Sequence, residues 1–344
     1  MSRPTVTFKR SSLVLNMRRL LGDIPDIIQF VRDGNAPEDF IADRCRRLNS
    51  PIIQLFFESF SRPLIFLDDA AAVSNIVCTR TKELDRAPIT VSFFPRSSIL
   101  KQTTPEWRAQ RRLWKDSMGQ DFLHRIAAPK TYKVALQLME LPFSVGTDFN
   151  LFALDAVWAA FLGSDLHGVR DELGGLRNQH DGFCLQQLAS VDSPAALPPT
   201  VKGELFRAIE YLNSTMNVNV SVTSPLSGWY RWFVRQRPKF RRYWALKTKI
   251  INEHIRKARE RFAYSGSQQV DGSKTCAADI VSSEQSAISR PNPSAFIIPP
   301  TDEEIHDELF MTLVAGHETT ATALSWSVKL LKNNAESQKI QETP

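Results

Sequence analysis

One helix restricts the fold of this chain more than any other feature. It opens at Pro299-Pro300-Thr301-Asp302-Glu303-Glu304, where Thr301 and Glu304 form a capping box, each side chain satisfying the other's backbone N–H. The pattern runs from about Asp302 to Lys332, so roughly 30 residues span about 45 Å at about 1.5 Å each. Ile305, Leu309, Phe310, Leu313, Val314, Leu324, Trp326, Val328, Leu330 and Leu331 leave little polar face in its second half. A helix apolar nearly all round belongs in the middle of a large protein.

The rest of the chain suits such a protein. Its 344 residues suffice for one large domain or two ordinary ones, and 42% hydrophobic with 23% charged residues is a globular composition. Further helical patterns lie at 37–48, 68–78 (capped by Asp68-Asp69), 130–141, 150–162, 176–190, 203–218 and 239–262. Thr104-Pro105-Glu106 starts another: a hydroxyl cap, Pro at the first helical position, an acid in the first turn. Ile52 to Phe57 and Leu64 to Leu67 are β-favouring runs that read as a hairpin. Residues 264–300, rich in Ser, Gly, Pro and Gln, read as a long surface loop. The expected fold is mainly α with a small N-terminal β-hairpin region.

The net charge of +6 is mildly basic. Cys45, Cys78, Cys184 and Cys276 lie far apart with no C-x-x-C pair, which argues against a zinc site or disulfide framework and for a reducing compartment. Residues 1–24 stay unassigned. Met1 to Leu21 carries Lys9, Arg10, Arg18 and Arg19 but no long apolar run, so neither signal peptide nor membrane anchor is expected there.

At the centre of the long helix sits Ala315-Gly316-His317-Glu318-Thr319-Thr320-Ala321-Thr322. A glycine and three threonines are poor helix-interior residues, and local rules broken inside a strong element are expected at functional sites. Threonine hydroxyls can bond back to the i−4 carbonyl and bend or open the ladder. The plainer explanation is that glycine and alanine let a neighbouring helix approach. His317-Glu318 hints at a zinc protease, but H-E-x-x-H needs a second His where Ala321 stands, so that reading is rejected. Upstream, Trp107-Arg108-Ala109-Gln110-Arg111 puts an indole and a guanidinium on one helical face, both donors suited to carboxylates. Alternatively this is a solvated basic helix, since Arg108, Arg112 and Lys115 surround the pair.

These two motifs resemble those of the cytochrome P450 family. Ala315 to Thr320 looks like its oxygen-activation motif, A/G-G-x-D/E-T-T/S, and Trp107 to Arg111 like its W-x-x-x-R. The stretches 52–67, Leu84 to Pro88, Leu154 to Gly163 and Trp229 to Trp244 are also similar to the family's sequence. The resemblance covers residues 25–344 as one P450 domain, with 264–300 its loop and 302–332 its oxygen-binding helix. It implies haem as cofactor, with Trp107 and Arg111 contacting the propionates. Glu318 and Thr319 would be the catalytic pair that delivers protons to dioxygen, and Ala315 and Gly316 would leave room for it. O–O cleavage needs protons in a dry pocket, which suits an adjacent hydroxyl and carboxylate.

The family's E-x-x-R helix and haem-ligating cysteine loop are expected downstream of the long helix and are not in this sequence. The resemblance therefore describes an incomplete P450 fold, with no metal ligand assigned. Gly272-Ser273-Lys274-Thr275-Cys276 imitates the cysteine loop but precedes the long helix, so Cys276 is rejected as ligand. Without the thiolate the axial push toward O–O cleavage is lost, and this chain by itself is expected to be inactive. The uncovered faces of the long helix would form a large apolar patch.

The leading function is haem-dependent monooxygenation of an apolar small molecule, of the kind fungal enzymes use on secondary metabolites, with an NADPH-P450 reductase-type electron donor for the full-length form. The alternative is a non-catalytic P450 remnant or partner-binding protein. A third reading gives 229–262 a membrane surface or nucleic acid to bind, since twelve Lys or Arg from Arg231 to Arg261 interleave with seven aromatics. Nucleic acid is the least expected of these partners. The location would be cytoplasmic or peripheral to the endoplasmic reticulum.

Overall fold

The computed structural model describes residues 22–36, 39–56, 64–85, 93–139, 145–171, 203–217, 227–264, 275–288 and 301–332. The chain gathers into two compact units, residues 1–93 with 218–236, and residues 94–217 with 237–344. The hairpin region builds a core of its own within the first unit.

In the first unit, α1 (Ile24–Arg32) and α2 (Asp39–Leu48) precede the antiparallel strands β1 (Ile52–Leu55) and β2 (Leu64–Leu67). The register pairs Ile52 with Leu67 and Leu55 with Leu64. Alternation turns Ile53 and Leu55 inward, where they join Phe40 and Cys45 in one buried cluster edged by Ile27, Phe30 and Phe66. Gly22 is required at its place: its φ is +54°, and a Cβ there would stand 2.0 Å from the Phe56 carbonyl oxygen. Asp69 caps α3 (Ala70–Ser74) by accepting the Ala72 N–H at 2.6 Å. A wider helical turn continues over Asn75–Thr79. This unit also holds α4 (Ser227–Gln236), where Trp229 is 72% exposed while Val234 is buried.

The second unit is all helix: α5 (Pro105–Leu113), α6 (Ala128–Leu138), α7 (Val145–Leu162), α8 (Glu204–Asn217), α9 (Pro238–Tyr264), α10 (Ala277–Ile288) and α11 (Asp302–Lys332). Its axis is the packing of α11 against α7, with α6 and α10 on α7 and with α9 on α8, α10 and α11. Almost every side chain of α7 from Phe149 to Leu162 is buried. Among the described residues α7 is the one helix long and apolar enough to cross a membrane, and here it is a core helix. Lys130 of α6 reaches two helix ends at once, donating to the carbonyls of Ala159 in the last turn of α7 (2.8 Å) and Thr275 ahead of α10 (2.7 Å). Asp155 of α7 is buried and accepts the N–H groups of Gly168 (3.1 Å) and Val169 (2.8 Å).

One expectation is corrected. The segment 264–300 is not a loop throughout, because residues 277–288 form α10. Its first turns are buried from Cys276 to Ser283, including Ala277, Ala278, Ile280 and Val281. Asp279 fixes its start, accepting the Thr275 N–H (2.9 Å) and hydroxyl (2.8 Å) and pairing with Arg261. The expected helix at 176–190, the hairpin turn at 58–63 and Cys184 lie outside the described residues.

Candidate functional site

The long helix α11 is continuous through its centre despite the glycine and threonines. Its capping box is present: Glu304 accepts the Thr301 N–H at 2.9 Å and Thr301 accepts the Glu304 N–H at 3.3 Å. The hydroxyls do bond back along the helix, Thr312 to the Glu308 carbonyl (2.9 Å), Thr319 to the Ala315 carbonyl (2.7 Å) and Ser325 to the Ala321 carbonyl (2.8 Å). They share carbonyls already used by the ladder and do not open it. His317 is buried, with Nδ1 at 2.9 Å from the Leu313 carbonyl.

The central residues divide between two faces. Gly316 meets α7: a Cβ there would stand 3.0 Å from Val157 Cγ2 and 3.3 Å from Cγ1, so close helix packing explains this glycine. Glu318 is half-buried and accepts from Asn213 Nδ2 of α8 at 3.1 Å. Thr319, Thr322 and Ala323 lie exposed on the other side, with Ala315 partly so. Further along, Trp326 (54%) and Leu330 (63%) are exposed as well.

Trp107 and Arg111 lie on α5, capped by Thr104, which accepts the Trp107 N–H at 3.2 Å. The Trp107 indole donates to the Ser98 carbonyl at 3.0 Å. Arg111 is exposed and forms no ion pair among the described residues. The inward side of α5 is Gln110, buried, donating to the Arg96 carbonyl (3.0 Å) and to Glu308 of α11 (3.2 Å).

Glu308 is the organising residue that the motifs did not reveal. Its buried carboxylate accepts from the Ser97 hydroxyl (2.9 Å), the Ser98 N–H (2.6 Å), the Ser98 hydroxyl and Gln110. Around it Lys101 pairs with Glu304 (2.6 Å), Arg96 pairs with Glu303 (2.8 Å), and the Arg96 N–H reaches Asp307 (3.1 Å). The acidic first turns of α11 thus grip the segment 96–101, and through it α5. The available signal was the acidic run 302–308 itself, read above only as a helix start. Glu308 and Thr319 are about 16 Å apart along the axis at about 1.5 Å per residue, so the two candidate pairs share a scaffold without touching through it.

A cavity of about 620 Å³ lies nearby, lined by Arg96 together with Trp244, Thr248, Ile255 and Arg259 of α9 and His306 of α11. None of the six candidate residues lines it, so cavity volume does not mark the site. Beside it Lys247 is 1% exposed, with its ammonium 3.6 Å from the Trp244 ring centroid and 4.3 Å from that of Phe310. Burial pushes Lys247 down to about 7, opposed by Asp307. Burial likewise lowers His306, against its contact with Asp307.

Comparison with known proteins decides the family. A model of the cytochrome P450 family matches residues 27–342. The chain belongs to the cytochrome P450 family. Two fungal relatives are similar to this P450 at 24% identity: cytochrome P450 monooxygenase GME11363 of Pestalotiopsis microspora, over 340 residues, and cytochrome P450 monooxygenase TRI13 of Fusarium sporotrichioides, over 352. Each alignment covers 94% of this chain and 57% of the relative, so this P450 spans little more than half their length. The solved structure of retinoic acid-bound cyanobacterial CYP120A1 shares the fold at TM-score 0.56 and 18% identity, over 88% of this chain and 57% of its own.

The family's cofactor is haem, and the described side chains fit it in part. Arg111, an exposed guanidinium with no acid partner among the described residues, suits a propionate. The small-residue face of Ala315, Thr319 and Ala323 suits a flat group packed against α11. The Trp107 N–H, by contrast, is occupied by Ser98 and would have to be shared. No described cysteine is set up as an iron ligand in this unit. Cys276 is fully buried against Gly163, and burial pushes its thiol up to about 11, whereas a ligand must be thiolate.

The basic, aromatic passage falls on two helices. It is split between α4 and α9, and Phe240 and Trp244 of α9 stack on each other at 5.5 Å, with Phe240 buried. Trp229 and Trp232 of α4 remain exposed.

Proposed function

We propose that this chain supplies the dioxygen and propionate halves of a haem monooxygenase that inserts one oxygen atom into an apolar small molecule. The observation that supports this reading is the position of Ala315 to Thr320 midway along α11, where Thr319 is open while Glu318 is held by a hydrogen bond. Haem, when bound, supplies the redox centre at which dioxygen is reduced. Arg111 would hold its propionates as a hydrogen-bond donor, with Trp107 sharing the N–H it now gives to Ser98. Thr319 presents a hydroxyl that accepts and passes a proton, and Glu318 replenishes it from the solvent side. Ala315 would leave room beside the bound group, Glu318 and Thr319 would hand on the protons that its chemistry consumes, and a reductase-type partner would supply the electrons.

The test is expression with haem, followed by reduction under carbon monoxide. A thiolate-type Soret shift supports a working monooxygenase, and its absence supports the non-catalytic alternative for this chain. In a loaded enzyme, replacing Thr319 by Ala should divert reducing equivalents to peroxide, and unchanged coupling would remove Thr319 from the reaction. A second reading rests on the exposed Trp229 and Trp232: α4 touches an acidic membrane surface at the face of the endoplasmic reticulum. Sedimentation with anionic vesicles at rising salt checks it, since loss of binding in the double substitution of both tryptophans to Ser is required.

A further inference from the structure

Asn213 is a polar residue in an apolar place. On α8 it follows Ala208, Ile209 and Leu212, all essentially without exposure, and it is itself buried. Leucine would serve packing at such a position, and an amide there needs partners for its two donors and its acceptor. One donor goes to a specific target: Nδ2 stands 3.1 Å from Glu318 Oε2, across 105 residues of sequence. A local rule broken beside a candidate catalytic group is the pattern expected of a functional position.

The chemistry of this contact differs from that of an ion pair. A lysine or arginine in place of Asn213 would hold Glu318 as the carboxylate and oppose its protonation. A neutral amide fixes the direction of the carboxyl while leaving it able to take up and release a proton. It also distinguishes the two oxygens, because an oxygen accepting an N–H cannot at the same time aim its own O–H at that donor. We propose that Asn213 is a positioning residue for Glu318, directing one carboxyl oxygen to α8 so that the other carries the relayed proton. The proposal rests on the reading of Glu318 as the proton-delivering acid. In each relay the proton passes from that second oxygen to Thr319 through intervening solvent, since the two side chains leave α11 on different faces, and it is replaced from solvent, so the carboxyl returns to its starting state.

The experiment uses Asn213→Leu, nearly isosteric and suited to the apolar stripe, beside Asn213→Asp, which turns a second acceptor toward Glu318. On the chain as it stands, infrared difference spectra locate the Glu318 carboxyl band by its disappearance in Glu318→Gln. The band is expected to shift in both Asn213 variants while the thermal midpoint of Asn213→Leu is kept. A purely structural amide would leave the band in place, and that result overturns the proposal. In haem-loaded enzyme, Asn213→Leu should slow proton delivery about tenfold, the size of one hydrogen bond to a charged group, and should do nothing further in the Glu318→Gln background. If Glu318→Gln alone leaves the coupling of electron uptake to oxygen insertion unchanged while the band still shifts, the relay reading fails and the positioning of Glu318 by Asn213 stands.

Discussion

Gln110 of α5 and Glu308 of α11 stand 198 residues apart in sequence and 3.2 Å apart in space. That contact joins the helix of Trp107 and Arg111 to the helix of Ala315, Gly316, Glu318 and Thr319. It belongs to a buried carboxylate whose other donors come from Ser97 and Ser98, so a single side chain ties down a loop and two helices.

Removing that carboxylate should be costly. Glu308→Ala strands the hydroxyls of Ser97 and Ser98 and the amide of Gln110, and a loss of about 3 kcal/mol is expected. Glu308→Gln, which keeps one carbonyl acceptor, should lose roughly half as much. Urea unfolding of the three proteins gives the order, and an Ala variant with the parent midpoint would remove Glu308 from its organising role.

Asp155 gives a dependence on pH. Burial pushes its carboxyl up to about 6 from 3.8, against the pull of the Val169 and Gly168 N–H groups. Its folded value lies above its unfolded one, so the folded state holds the proton more tightly between about pH 4 and 6. The stability from this group is present below pH 4 and falls as pH rises to 6, by about 3 kcal/mol. Asp155→Asn should flatten that decline in denaturation midpoints taken from pH 4 to 7, and an unaltered slope would assign it to other groups.

Lys247 acts in the opposite sense. Its folded value of about 7 lies below its ordinary 10.5, so stability rises as pH climbs from 7 toward 10.5 and the cost of charging is complete below 7. Lys247→Met keeps the volume between Trp244 and Phe310 and should stabilise the protein by about 1–4 kcal/mol at pH 6. Melting at pH 6 and pH 9 should show the advantage shrinking at the higher value. A methionine variant weaker than the parent at pH 6 would mean that the ammonium earns its place over the two rings.

The cysteines should label unequally. Cys78 is exposed, whereas Cys276 is buried with its thiol raised by that burial. Iodoacetamide at pH 8 followed by peptide mass mapping should find Cys78 modified long before Cys276, which reacts only on unfolding. Rapid alkylation of Cys276 would contradict its place under α10.

Much of this was legible in the sequence, for reasons that differ by element. The α11 start was readable because Thr301 and Glu304 act locally, within one turn, and the Thr104 cap on α5 for the same reason. The hairpin was readable because Ile52 to Leu55 and Leu64 to Leu67 lie in short runs of β-favouring residues. The family was readable because its two motifs keep their order. By contrast α10 was hidden: its apolar run is short, it lies in a sequence rich in serine and glycine, and Asp279 finds its partner Arg261 only in three dimensions. Glu308 was hidden likewise, since four donors converge on it from residues about two hundred positions away. The contact between Asn213 and Glu318 depends on how α8 meets α11, which no local pattern encodes.

The bridge made by Lys130 has a consequence for how this unit assembles. Its ammonium rests on carbonyls contributed by the end of α7 and by Thr275, just ahead of α10. Both bonds exist together only when α6, α7 and the segment ahead of α10 are all in place, so one ammonium clamps three separate pieces of chain, and Lys130→Met would release all three from a common point.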